Sequence, residues 1–260
     1  MVKRILVILL WLVTAAAIIA LFVYMRTTYR NSTIKKLNIE VFPTGERRFI
    51  NKEEIMQTVD ILYDTLCKTL VKDFDPKKAD SMLIKNPWIE NATVNLSLSG
   101  EVKIKIKEYE PIARIFGTQN QTAYIDKKGF LIPVSDCYTP YVPIVSGFLN
   151  FHHVTCAHQH ISDSAYQNTQ LREALEIVQF IVADSILDAL VEQIYLNDEG
   201  EFELAIRLLN FPVILGNNKQ LDEKFTKFKV FYANKLGTEE LNKYRKISLK
   251  YQNQIVCTKK

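Results

Sequence analysis

The chain has 260 residues, 48% hydrophobic and 24% charged, with only 8 glycines and 8 prolines, a composition that supports one or two folded units and excludes a mainly disordered chain. Its 33 basic and 29 acidic residues leave a net charge of +4. Lys and Arg never run longer than two in a row, as at Lys35-Lys36 and Lys259-Lys260, which excludes a nucleic-acid binder working by counterion displacement along a phosphate backbone.

From Ile5 to Met25, 21 consecutive positions carry no charge. A helix of that length is about 31 Å long and crosses the hydrocarbon core of a bilayer. Ala15-Ala16-Ala17 would suit cleavage of a signal peptide, but the apolar run continues through Ile18, Ile19, Leu21, Phe22 and Val23, past the roughly 7 to 15 residues of such a peptide's apolar region. Residues 5–25 therefore read as an uncleaved membrane anchor, with a tail at 1–4 and a polar linker at 26–36. Lys3 and Arg4 precede the span, and Arg26, Arg30, Lys35 and Lys36 follow it. A short tail is easily retained and long exported domains tolerate basic residues, so the expectation is a cytoplasmic amino terminus with the bulk beyond the membrane.

The next stretch, 37–109, predicts a strand, two helices and a hairpin. Leu37 to Phe42 alternates as a strand until Pro43-Thr44-Gly45 breaks it. Asn51 with Glu54 three residues on reads as a variant capping box for a helix carrying Ile55, Val59 and Leu62. Asp75-Pro76 caps a second helix with Ala79, Met82 and Leu83, and Asn86-Pro87 stops it. From Asn86 to Ala113 the chain reads as one β-hairpin: Val94, Leu96 and Leu98 alternate with polar residues, Ser99-Gly100 turns, and Val102, Ile104 and Ile106 alternate with Lys103, Lys105 and Lys107. One face of this sheet is wet, and the two helices must cover the other.

Beyond Glu110 short strands dominate, at Ala113–Phe116, Thr122–Asp126, Phe130–Val134 and Tyr141–Val145, with Asp126 to Gly129 as a turn. Leu171, Leu175, Val178 and Val182 mark an amphipathic helix. Ile194–Asn197 and Glu201–Leu208 form a hairpin around Asp198-Glu199-Gly200. Leu221, Phe225, Phe228 and Tyr232 define a further helix closed by Gly237, and Lys246 to Val256 reads as the final strand. The fold class is α+β: a single membrane helix, a small β-α-α-β-β unit at 37–109, a larger mixed β domain with amphipathic helices at 110–257, and a tail at 258–260.

The ordered set of an anchor, a β-α-α-β-β unit, Asn86-Pro87-Trp88-Ile89-Glu90-Asn91-Ala92 and Glu108-Tyr109-Glu110-Pro111-Ile112-Ala113 resembles the FtsQ/DivIB bacterial cell-division family. Tyr124-Ile125-Asp126-x-x-Gly129 and Pro143-Ile144-Val145-Ser146-Gly147 look like the landmarks that follow. The resemblance implies a POTRA-like domain beside the membrane, a β domain after it, and a bitopic divisome scaffold at the septum. Its implied partners are FtsB/DivIC-like and FtsL-like bitopic proteins, together with the septal wall synthase. It implies docking of the FtsB-type partner by strand addition at the last strand, here Ile247, Ser248, Leu249, Lys250, Tyr251 and Gln252. Two departures stand out: the four residues before the span make a shorter tail than in many members, and only four residues follow Val256. The alternative is a membrane-anchored POTRA-type chaperone or transport adaptor that binds client strands in the envelope.

All four histidines fall at His152, His153, His158 and His160, around Cys156. A metal site would need His158 and His160 on one face of a strand, with Cys156 as thiolate. The spacing matches no zinc pattern, so the segment reads as a surface loop, and an envelope metal or redox sensor is the reading set against it. Cys137 and Cys156 are the one cysteine pair flanking a single loop, and Trp88 reads as a core or sheet-edge aromatic. No catalytic constellation or phosphate-cradling glycine loop is present, so the sequence assigns no enzyme activity, no cofactor and no metal.

Overall fold

In the computed structural model, residues 2–43, 48–63, 66–151, 154, 158–166, 169–235 and 241–260 are described. The chain divides into two units, Met1–Glu108 and Tyr109–Lys260.

The first unit opens with α1 (Val2–Arg30), which carries the apolar stretch and then continues past Met25. The expected linker at 26–36 is not a tether. Helix occupies it as far as Arg30, Thr33 bridges to Leu70, and the buried Ile34 donates its N–H to the Thr69 carbonyl at 3.1 Å. Strand β1 (Lys36–Phe42) then pairs in parallel with β3 (Glu101–Glu108), which pairs antiparallel with β2 (Ile89–Leu96), giving the order β1-β3-β2. Val102, Ile104 and Ile106 are fully buried while Lys103, Lys105 and Lys107 are exposed. Helices α2 (Lys52–Tyr63) and α3 (Pro76–Leu83) contribute Ile55, Val59, Ala79 and Leu83 to the same core. Asp75 caps α3 by accepting from the Lys77 N–H at 3.0 Å. Glu54, expected in a capping box, instead accepts from the Asn86 amide at 3.2 Å, tying α2 to the loop before β2.

Two features of the hairpin depart from the expected pattern. Leu98 is not a core residue: the turn runs from Ser97 to Gly100, closed by the Gly100 N–H on the Ser97 carbonyl at 3.0 Å, and leaves Leu98 88% exposed. The hairpin ends at Glu108, because Pro111 already belongs to the first strand of the second unit. Glu108 is 3% exposed, and its carboxylate accepts from the Ile50 N–H at 2.9 Å and the Phe49 N–H at 3.4 Å. It therefore fastens the segment leading into α2 to the end of β3.

In the second unit a ten-stranded sheet runs in the order β13-β12-β11-β10-β9-β7-β4-β5-β6-β8. In chain order its strands are β4 (Pro111–Phe116), β5 (Thr122–Asp126), β6 (Phe130–Pro133), β7 (Ile144–Gly147), β8 (Gln159–His160), β9 (Val191–Leu196), β10 (Phe202–Ile206), β11 (Val213–Gly216), β12 (Tyr244–Ser248) and β13 (Val256–Lys259). Helices α4 (Leu171–Ala183) and α6 (Leu221–Lys235) supply Ile177, Val178, Ile181, Phe225 and Phe228 to its core, and Phe180 stacks on Phe225 with ring centroids 5.2 Å apart. Short α5 (Ser185–Leu190), capped by Asp184 on the Ile186 and Leu187 N–H groups, links α4 to β9.

The strand expected at Tyr141–Val145 lies later, at Ile144–Gly147, and Tyr141 is exposed. Three elements of the second unit have no counterpart in the sequence reading: α5, β11 and the two-residue β8, which falls in the segment read as a surface loop. The expected final strand Lys246–Val256 is two strands, β12 and β13, joined by a turn, so Thr258 and Lys259 are strand residues and not tail. Gly237 lies outside the described residues. Gly147 has φ +106, and a Cβ there would sit 2.0 Å from the Leu196 carbonyl oxygen, so only glycine lets β7 approach β9 this closely.

Burial raises the Glu108 carboxyl above its ordinary value, outweighing the Ile50 and Phe49 N–H bonds and the Arg48 charge. Unfolded Glu titrates near about 4.3, so the stability this group contributes is full below that pH and falls as pH rises through the raised folded-state value. In urea unfolding of the full chain followed at first-unit amides, Glu108→Gln is expected to abolish this decline. Glu108→Ala, which strands the Ile50 N–H, should cost about 1–3 kcal/mol at neutral pH. Gly147→Ala should destabilise the second unit by roughly 2–4 kcal/mol, since its Cβ forces β7 away from β9; near-neutral unfolding midpoints would contradict that close approach.

Candidate docking edge

A β-strand with neighbours on both sides has no backbone groups left to offer. That rule decides which part of the carboxyl region can accept another chain. Ile247 and Ser248 pair in parallel with Val213 and Ile214 of β11, and on their other side with Cys257 and Val256 of β13. Leu249 donates its N–H to the Ile214 carbonyl at 2.8 Å, and the side chains of Ile247 and Leu249 are fully buried. The expectation that Ile247, Ser248 and Leu249 form an exposed edge is therefore corrected: β12 is the second strand in, and β13 is outermost. Lys250, Tyr251 and Gln252 lie in the turn between β12 and β13, exposed to solvent, Tyr251 at 49%.

This turn is held from below by α6. Glu223 accepts from the Asn253 N–H at 3.1 Å and from Lys227 Nζ at 3.2 Å, while Lys227 Nζ also donates to the Tyr251 carbonyl at 2.7 Å. These bonds hold the Glu223 carboxyl below its ordinary value, the Asn253 N–H first and Lys227 next. Lys250 lies across Gly216, whose absent Cβ would be 2.9 Å from Lys250 Cγ, and its ammonium pairs with Glu201. Deeper in α6, Lys224 is buried and donates to the Asn217 carbonyl at 2.8 Å and its side-chain oxygen at 3.0 Å; burial lowers its pKa, with the Lys227 charge adding to the effect.

One groove runs along β13 and a second lies beside the turn that precedes it. On the outer sheet face a polar groove of about 510 Å³ is lined by Glu199, Glu201, Glu203, Lys246, Ser248, Lys250, Tyr251, Val256 and Thr258, among others. Between the turn and α6 lies an apolar groove of about 340 Å³, lined by Thr226, Lys227, Val230, Phe231, Asn253, Gln254 and Ile255. Val256 and Thr258 of β13 line the polar groove, while the apolar groove ends at Ile255, the residue before β13.

The other candidate residues do not assemble into a site. His158 is not in a strand: it has φ +60, and its Nδ1 lies 2.7 Å from the Tyr109 hydroxyl. His160, in β8, places Nε2 2.8 Å from the Lys128 carbonyl and accepts the Ser162 N–H at Nδ1, 3.0 Å away. Both rings pack edge-on against Phe130, but their polar contacts are separate. His152, His153 and Cys156 lie outside the described residues, and Cys137 is an exposed free cysteine. Among the described residues no group of three or more metal-ligating side chains converges. Trp88 is half-buried and its N–H bonds the Asn86 side chain. The lysine face is solvated and partly paired, Lys107 with Glu90 at 2.8 Å and Lys105 with Glu40 at 3.9 Å.

Residues 33–109 match the POTRA domain of FtsQ type, and residues 110–258 match the family described as FtsQ/DivIB, C-terminal related. The chain belongs to the FtsQ/DivIB family. The cell division protein FtsQ of Rhodothermus marinus is 22% identical over 189 residues, an alignment covering 71% of this chain and 65% of that protein. Within this family member the landmark motifs are structural. Glu108 anchors the start of α2, Asp126 accepts from the Lys128 and Phe130 N–H groups to shape the β5–β6 turn, and Gly147 makes room for β9.

Glu223→Ala should release the β12–β13 turn. Amide exchange at Asn253 is expected to rise strongly, while Ile247 and Leu249 stay protected. The same release is expected in the parent chain on acidification, as pH falls through the depressed Glu223 value; exchange at Asn253 that is indifferent to Glu223 would contradict the clamp.

Proposed function

We propose that this protein is a bitopic division scaffold, anchored by α1 in the inner membrane with its amino terminus cytoplasmic and its two units in the periplasm. It acts at the septum by binding FtsB/DivIC-like and FtsL-like partners, and so links early and late division proteins and the septal wall synthase, without catalysis of its own. The family match supports the division role. The observation that carries the docking reading is that, among the described residues, β13 is an outermost strand of the sheet, with a polar groove along Val256 and Thr258 and an apolar groove beside the turn before it.

In this reading the FtsB-type partner adds a strand along Val256–Lys259. Ile247, Ser248 and Leu249 support that edge from behind, and Lys250, Tyr251 and Gln252 meet the partner from the turn. Main-chain bonds then supply affinity while the grooves supply selectivity. Tyr251, large and half-exposed beside the polar groove, has the character of an interface anchor.

Tyr251→Glu is expected to leave the fold intact and to weaken binding of an FtsB-type ectodomain by about 30-fold or more, the 2 kcal/mol of a hot spot. Unchanged affinity in a two-component titration would move the site elsewhere. In cells, a fluorescent fusion should collect at mid-cell and depletion should give filaments. Uniform envelope signal with normal short cells, or capture of secretion components in place of division proteins, would overturn the scaffold reading.

A further inference from the structure

The membrane helix does not end where the first unit begins. The uncharged stretch stops at Met25, but α1 continues to Arg30, and the Tyr29 hydroxyl donates to the Ser97 carbonyl at 2.7 Å. Residues 32–35 are bonded at once to two parts of the unit: the Val71 N–H to the Ser32 carbonyl at 2.9 Å, and the Lys35 N–H to the Gly100 carbonyl at 2.8 Å. The span therefore fixes the height of the Ser97–Gly100 turn. Tyr29 lies four residues past Met25, about 6 Å along the helix axis, and the headgroup layer on each side of the hydrocarbon core is about 5–7 Å thick.

At that height stands Leu98, 88% exposed at the tip of the turn and with no part in the core. Around it the chain is cationic. Arg26 and Arg30 lie on the last turns of α1, Lys35 packs its stem beside Gly100, Lys36 opens β1, and Lys72 is exposed in the 3₁₀ turn that touches α1. Asp73 and Glu101 are the acids in the same neighbourhood, so five cations face two anions. An exposed leucine on a turn whose bonded neighbour segments carry flexible cationic side chains suits a surface that is apolar beneath and negative above.

We propose that the Ser97–Gly100 turn rests on the outer surface of the bilayer that holds α1, with Leu98 dipping among the acyl-chain boundaries and the surrounding Lys and Arg side chains meeting anionic phospholipid headgroups. The first unit is then seated on the membrane at two points, α1 and the turn, and cannot swivel freely about the end of the span. Strand β1 leaves this surface and carries Phe42 roughly 20 Å along the strand from Lys36.

The test places the photo-crosslinking residue benzoylphenylalanine singly at Leu12, Leu98 or Phe42 of the full chain. Each variant is reconstituted in vesicles of phosphatidylethanolamine and phosphatidylglycerol. Lipid adducts, read by mass spectrometry, are expected at Leu12, within the span, and at Leu98 several-fold above Phe42. Replacing phosphatidylglycerol by phosphatidylcholine should lower the Leu98 adduct several-fold without changing that at Leu12. No lipid adduct at Leu98, adducts to protein in its place, equal adducts at Leu98 and Phe42, or indifference to lipid charge would each overturn the proposal.

Discussion

Backbone hydrogen bonding is the constraint on which the docking edge depends. In the ten-stranded sheet, β12 has β11 on one side and β13 on the other, so the main chain at Ile247 and Ser248 is already used. Their neighbour Leu249 is bonded to Ile214 and its side chain is buried. In the proposed docking an incoming strand therefore meets β13. Everything else near that edge is arranged around the same fact: the turn at 249–255 positions β13, and α6 positions the turn through Glu223 and Lys227.

The charges at this edge serve placement more than stability. The Glu223–Lys227 pair and the Lys250–Glu201 pair are near the surface, where ion pairs contribute little to folding. Their geometric effect is larger, because each fastens one end of a segment that carries exposed side chains. Buried Lys224 has a different part, holding the Asn217 loop after β11 and so the strand on which β12 is laid.

Much of the first unit was legible in the sequence because its strands alternate cleanly and Asp75-Pro76 is a strong start signal. Leu98 broke the alternation without a visible cue, since the turn began two residues before Ser99-Gly100. In the second unit the missed elements are short or lack a period. Strand β11, Val213–Gly216, is a brief apolar run with three of its four residues buried, which periodicity cannot tell from a helix segment, and α5 has only six residues. The reading of 246–256 as one strand failed for a local reason. The turn between β12 and β13 contains neither Gly nor Pro, and Asn253 takes the left-handed conformation instead, at φ +55. Of the six residues expected at the partner site, the alternation of Ile247 and Leu249 was a core signal. The exposed Lys250, Tyr251 and Gln252 followed in a turn that the sequence did not reveal.

Helix α1 is joined to the rest of the first unit by backbone bonds and not by a loose linker, while in the second unit β13 stands at one end of the ten-stranded sheet. The most direct measurement is hydrogen exchange of the full chain with and without an FtsB-type partner. Docking at the edge predicts new protection at the β13 amides, Val256 to Lys259, with Ile247 and Leu249 protected in both states. Unchanged exchange along β13 in the saturated complex would contradict it.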